Sequence, residues 1–176
     1  VVPGSQRLAV DGAAWEALVH PAPETADGGL SPEALPGILE RARRHPVVLV
    51  GGGMGPDLAT ARLAVDLVEA AEKPLVVDAD GLNAFSRLQR PFRPPARSVI
   101  TPHGGELQRL VGCSKEDLQE RRVETVQKAA AELGCVLLHK GAPTMVASPE
   151  GAFAVVGSGG CALASAGTGD VLAGVV

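Results

Sequence analysis

Aromatic residues are nearly missing from this chain: three phenylalanines, one tryptophan and no tyrosine in 176 residues. Positive charge is not in excess either, since the formal net charge is −4. With no basic face and few rings on which bases stack, nucleic acid is excluded as the expected partner. Hydrophobic residues make up 45% of the chain, yet they come in short runs, so neither a membrane span nor a signal peptide is visible and a soluble protein is expected. Cys113, Cys135 and Cys161 are few, far apart and odd in number. They follow no metal spacing, so free thiols in a reducing compartment, the cytoplasm, are expected. His20, His45, His103 and His139 are equally scattered, which argues against a zinc site. There is no internal repeat or low-complexity segment, and Pro91 to Pro95 reads as a rigid surface loop.

What is plentiful is glycine, 22 residues, and it falls at the ends of short apolar runs. Val47 to Val50 has the form of a strand buried on both faces, with Gly51-Gly-Gly-Met-Gly55 behind it. Residues 58–72 predict a helix with Leu58, Ala61, Val65 and Val68 on one stripe, stopped by Lys73-Pro74. Leu75 to Val77 repeats the strand form and runs into Asp78-Ala-Asp-Gly-Leu-Asn83, read as a turn. Ser98 to Thr101 follows, then a polar turn at Pro102. Ser114 and Asp117 form a capping box for one helix reaching Leu133, with Gly134 closing it. Cys135 to Leu138 is another strand, and Met145 to Ala147 with Ala152 to Val156 reads as a hairpin. Strands alternating with helices predict an α/β fold with a largely parallel sheet, which binds its ligands at the carboxyl ends of the strands. The size fits about one domain. The chain begins at Val1 without a methionine and stops within an apolar run, so residues 1–176 are expected to be a single domain lacking an element at each end.

Five segments directly follow predicted strands and would gather on one edge. Gly167-Thr-Gly-Asp170 precedes an apolar run that starts a helix. Glycines there let backbone N–H groups approach an anion at the positive end of the helix dipole. Asp170 is unsuited to hold a phosphate but suited to take a proton from a hydroxyl as a phosphoryl group arrives. The alternative is that Thr168 or Asp170 is only a helix cap. Lys140, before Gly141, is placed to reach a phosphate or to be a solvated lysine at a turn. Asp78, Asp80 and Glu106 stand on neighbouring strand ends, where they suit Mg²⁺ held through water, with helix capping as the rival role for Glu106 and Asp80. His103 reads as a loop histidine or a ligand contact. The Gly51 to Gly55 run lacks the glycine spacing of a dinucleotide fingerprint.

Taken in order, Gly51-Gly-Gly-Met-Gly55, Asp78-Ala-Asp-Gly-Leu-Asn83, Thr101-Pro-His-Gly-Gly-Glu106, Lys140-Gly-Ala-Pro-Thr144 and Ala164-Ser-Ala-Gly-Thr-Gly-Asp-Val-Leu-Ala-Gly174 resemble the ADP- or ATP-dependent NAD(P)H-hydrate dehydratases. The resemblance implies a ribokinase-like three-layer fold, with a mostly parallel central sheet flanked by helices and a β-hairpin. It implies repair of hydrated NADH or NADPH by phosphorylation of the ring hydroxyl and loss of phosphate. On the matching positions, Asp170 would be the base, and the N–H groups of Gly167, Thr168 and Gly169 the anion hole. Gly55 and His103 would contact the hydrated dinucleotide. Lys140, Gly141, Ala142, Pro143, Thr144 and Gly169 would line the adenine nucleotide, with Mg²⁺ on its phosphates. A homo-oligomer is also implied. The chain departs from the family pattern at Gly52 and Gly104, where proline is common, at Ser165, where threonine is frequent, and at Gly160, where asparagine is usual. Two other readings stand beside it: a ribokinase-like kinase of a small alcohol or vitamin precursor, and a catalytically silent nucleotide-binding module.

Overall fold

A computed structural model describes residues 1–160 and 163–176; the free thiol expected at Cys161 lies outside them. The chain opens with β1 (Val2–Pro3), α1 (Arg7–Ala13) and β2 (Pro21–Ala22), and the two short strands pair in parallel. After α2 (Leu35–Ala42) it builds a six-stranded sheet from β3 (Val48–Val50), β4 (Leu75–Val77), β5 (Val99–Ile100), β6 (Val136–His139), β7 (Thr144–Ala147) and β8 (Phe153–Val156). These strands lie in sequence order, with β3 to β6 parallel and β6, β7 and β8 antiparallel. Between them run α3 (Leu58–Ala70), α4 (Ala79–Arg87), α5 (Gly104–Val111), α6 (Lys115–Glu120) and α7 (Arg122–Leu133), and α8 (Thr168–Val175) comes last. The fold is α/β, a mostly parallel sheet flanked by helices with a hairpin on its flank.

Local chemistry explains the elements that the sequence announces. Asp57 caps α3 by accepting from Thr60 N–H at 3.0 Å, and those N–H groups hold its carboxyl below the ordinary range. Ala61, Val65 and Val68 of the expected stripe are buried in the core, whereas Leu58, in the first turn, is 63% exposed. The hairpin closes through Ser148, which donates its N–H to Ala152 O and accepts from Gly151 N–H. At the centre of the core Phe85 and Phe92 meet edge to face, with ring centroids 4.8 Å apart.

Four expectations change. The strand at 48–50 is not buried on both faces, because at this outer position Leu49 stands on an uncovered side and is 49% exposed. Asp78 to Asn83 is not a turn: it opens α4, whose Leu82, Ala84 and Phe85 are driven into the core. Thr101 to Glu106 likewise leads into α5, which buries Leu107. The single helix expected from 114 to 133 breaks at Arg121 (φ −128°, ψ 37°), which redirects the chain so that α7 packs against β6 and β7.

Candidate active site

The register Ile100↔Leu137 continues past the strands to a bridge between His103 and Lys140, three residues on in each. It is closed by Lys140 N–H donating to Pro102 O at 2.9 Å. Parallel pairing therefore delivers Gly51, Asp78, His103 and Lys140 to one edge. Gly51 has φ +140°, and a Cβ there would lie 1.8 Å from Asp78 O. Only glycine allows the two strand ends to come this close.

Asp78 is 2% exposed. Its Oδ1 accepts from Lys140 Nζ at 2.7 Å, and Glu106 Oε2 stands 3.8 Å from the same ammonium. Two carboxylates in a buried setting are tolerable only beside a cation, which Lys140 supplies. Glu106 also completes a capping box on α5: its Oε2 accepts His103 N–H at 2.8 Å, while His103 Nδ1 accepts from Gly105 and Glu106 N–H. The His103 ring is half exposed and turns Nε2 to within 3.3 Å of Glu106 Oε1. Among the described residues no three His, Cys, Asp or Glu side chains cluster as a metal site. Asp78 and Glu106 converge on the Lys140 ammonium, so a metal ion bridging them directly does not fit this arrangement.

The turn after Lys140 carries a cis Ala142-Pro143 bond, and Thr144 Oγ1 donates to Gly141 O at 3.0 Å. Sequence reasoning missed the residue that holds this turn. Arg122, the first residue of α7, donates to Pro143 O at 2.7 Å and to His139 Nδ1 at 3.1 Å. A Cβ on Gly141 would lie 2.4 Å from the guanidinium. His139 is buried, and burial together with the Arg122 charge pushes it down to about 4. No local signal marks Arg122, because its partners are distant in sequence.

Gly167 caps α8 with φ +87° and no side chain, so neither Thr168 nor Asp170 is the cap. The Thr168 hydroxyl instead donates to Leu163 O and Ser165 O, both at 2.8 Å. Asp170, in the first turn, is exposed. A Cβ on Gly52 would lie 2.6 Å from its Oδ1, so the carboxylate sits over the bare backbone of the first glycine turn. Gly169 faces the ion pair: a Cβ on it would lie 3.6 Å from Lys140 Nζ and 3.8 Å from Asp78 Oδ2. Gly55 lies on the other flank, its N–H donating to Asp80 Oδ2 at 2.9 Å and its carbonyl accepting from Arg87 at 3.1 Å. Asp78, Lys140, Glu106 and Gly169 thus form one group, with Asp170 and Gly52 beside it.

The sequence model of the NAD(P)H-hydrate dehydratase family matches residues 5–176. A bifunctional NAD(P)H-hydrate repair enzyme Nnr of Thermofilum pendens is 40% identical over 154 residues, 87% of this chain and 29% of the relative. An ADP-dependent (S)-NAD(P)H-hydrate dehydratase of Neisseria meningitidis is 39% identical over 132 residues, 73% of this chain and 45% of the relative. The chain therefore spans less than half the length of these curated relatives. The ADP/ATP-dependent NAD(P)H-hydrate dehydratase of Bacillus subtilis, crystallised with ATP and Mg²⁺, superimposes with a TM-score of 0.62 at 29% identity, covering 83% of this chain and 58% of that one. A ribokinase-like protein of Enterococcus faecalis reaches a TM-score of 0.80 over 98% of this chain and 57% of that one; at 22% identity this likeness speaks for the fold alone. The fold is ribokinase-like, and the chain belongs to the NAD(P)H-hydrate dehydratase family.

Proposed function

We propose that the full protein dehydrates hydrated NADH and NADPH, with Asp170 as the general base. Asp170 carries the assignment: it is the one acidic side chain of the group that caps nothing and pairs with no cation among the described residues, and it sits exposed over Gly52. The Asp170 carboxylate takes the proton of the ring hydroxyl as that oxygen attacks the terminal phosphorus of the nucleotide. A new O–P bond forms and the bond to the leaving nucleotide breaks. Phosphate then departs with the C–O electron pair while the neighbouring ring carbon loses a proton, which restores the double bond.

Gly167, Thr168 and Gly169 would turn their N–H groups to the phosphoryl oxygens at the start of α8. Lys140 to Thr144 would line the adenine nucleotide, and Gly55 and His103 the dinucleotide. Mg²⁺ would arrive on the nucleotide phosphates and neutralise their charge, with Asp78 and Glu106 meeting it through water. The phosphoryl donor is ADP or ATP: the Neisseria relative is named ADP-dependent and the Bacillus one ADP/ATP-dependent. A reducing cytoplasm suits the free Cys113 and Cys135, the latter with its thiol pushed up to about 12 by burial. No helix among the described residues is long and apolar enough to cross a membrane. We expect a homo-oligomer.

Incubating the full chain with hydrated NADH and ADP or ATP should return the absorbance of the reduced nicotinamide. A stable phosphate ester without the chromophore would instead identify a kinase of a small alcohol. Nucleotide binding without turnover would identify a silent binding module.

A further inference from the structure

An open cleft of about 500 Å³ lies between α4 and α5, lined by Asn83, Ser86, Arg87 and Arg109. Neither Asp170 nor Lys140 lines it, and the family motifs leave its arginines without a role. In a chain of net charge −4, Arg109 has no carboxylate partner among the described residues and gives this cleft a positive charge, whereas that of Arg87 is offset by Asp80.

Both arginines are held in place while keeping donors to offer. Arg109 donates Nε and Nη2 to Asn83 Oδ1 at 3.2 and 2.9 Å. Its restraint among the described residues is thus a neutral amide, so its charge is not cancelled and its Nη1 lies outside those bonds. Arg87 donates to Gly55 O at 3.1 Å and lies 3.6 Å from Asp80 Oδ1. The Ser86 hydroxyl is buried beneath the lining, with no hydrogen-bond partner among the described residues.

The cleft also adjoins both residues assigned to the dinucleotide. Arg87 holds the Gly55 carbonyl. Arg109 and His103 lie on one side of Gly105, where a Cβ would meet His103 Cε1 at 3.0 Å and Arg109 Nη1 at 3.4 Å. A group bound between the arginines would therefore belong to a molecule that continues toward Gly55 and His103. Planar guanidinium forks match phosphate oxygens, and a space of this size takes a phosphate with its sugar.

We propose that this cleft binds a phosphate of the dinucleotide substrate, with Arg109 as its main donor. The proposal rests on the dehydratase reading for the identity of that substrate. Two phosphates share the required chemistry: the pyrophosphate, present in both dinucleotides, and the 2′-phosphate, present only in NADPH.

The test uses the full chain, the Arg109→Gln variant and the Arg109→Lys variant, which keeps the charge but loses the fork. Arg109 is exposed, so the core is untouched by either change. Binding of NADH and NADPH is followed by nicotinamide fluorescence, and KM is measured for each hydrate and for the nucleotide. Arg109→Gln should weaken dinucleotide binding and raise KM for the hydrate by about 10- to 100-fold, with the KM for the nucleotide unmoved and Arg109→Lys in between. Equal losses for both dinucleotides identify the pyrophosphate, and a loss confined to NADPH identifies the 2′-phosphate. Parent-like affinity for both dinucleotides in both variants, or a parent that binds neither, overturns the proposal. A parent that binds dinucleotide but never restores the chromophore sinks the dehydratase reading instead and leaves the binding comparison valid.

Discussion

Glu106 and Asp170 hold the same place in their helices, the third residue after the cap of α5 and of α8, and are used in opposite ways. Glu106 is 5% exposed, accepts the His103 N–H and lies beside Lys140. Asp170 is exposed and, among the described residues, touches neither a cap nor a cation. The difference begins at the cap. His103 has an extended backbone and an acceptor nitrogen, which make a reciprocal box with the third residue. Gly167 is left-handed and has no side chain, so no box forms and the carboxylate stays available. One site thus holds a carboxylate that fixes geometry and another that is left unengaged.

That contrast can be broken at either end. The largest expected effect is at Asp170: Asp170→Asn should lower turnover by about 10²- to 10⁴-fold, the usual share of a general base, while nucleotide affinity persists. Its thermal unfolding should stay within about 0.5 kcal/mol of the parent, as for a surface change. Wild-type-like turnover would remove Asp170 from the chemistry. Next comes the seat of the carboxylate. Gly52→Ala puts a methyl group 2.6 Å from Asp170 Oδ1. Proline, common in the family at this position, also carries a Cβ, so the carboxylate has room to shift and the loss should be only about 3- to 10-fold in turnover with the fold intact. An unchanged rate would show that the seat over Gly52 is not the reactive position.

Glu106→Ala should show the reverse pattern and lose about 1–3 kcal/mol of stability in denaturant unfolding, because the His103 N–H loses its acceptor and the Lys140 ammonium a carboxylate neighbour at 3.8 Å. A loss no larger than that of Asp170→Asn would erase the distinction between the two residues. The smallest effect is electrostatic. His139 lies at about 4 in the folded protein against an ordinary 6.5, so between those values the unfolded chain binds the proton and the native one does not. Stability should fall as pH drops from about 6.5 to 4. Thermal melts of His139→Gln across that window should show a shallower fall than the parent, and identical slopes would mean that His139 takes up its proton alike in the folded and unfolded states.

The six strands of the main sheet were legible as short apolar runs bounded by glycine, proline or polar residues, whereas β1 and β2, two residues each, gave no such run. The helices opened by Asp78 and His103 were not legible either. Their first residues look like polar turns, and the helix becomes evident only once Phe85 and Leu107 are seen in the core. His103 also lies outside the residue types that usually announce a cap. The break at Arg121 carries neither glycine nor proline, so nothing local marks it. Among the site residues, the glycine turns and Lys140 were visible as strand ends. Arg122, Arg87 and Arg109 were not, since each acts on a partner far along the chain.

By itself the sequence determined the places of the six strands of the main sheet along the chain, the glycines that permit close turns, and the edge on which the motifs gather. Those are properties of short segments: apolar period, backbone freedom and strand direction. Tertiary structure alone decided which carboxylate is committed and which is available. Asp78 is neutralised by Lys140, 62 residues away, and Asp170 lies over Gly52 in the first glycine turn. Charge pairing depends on distance in space, and no local pattern encodes it.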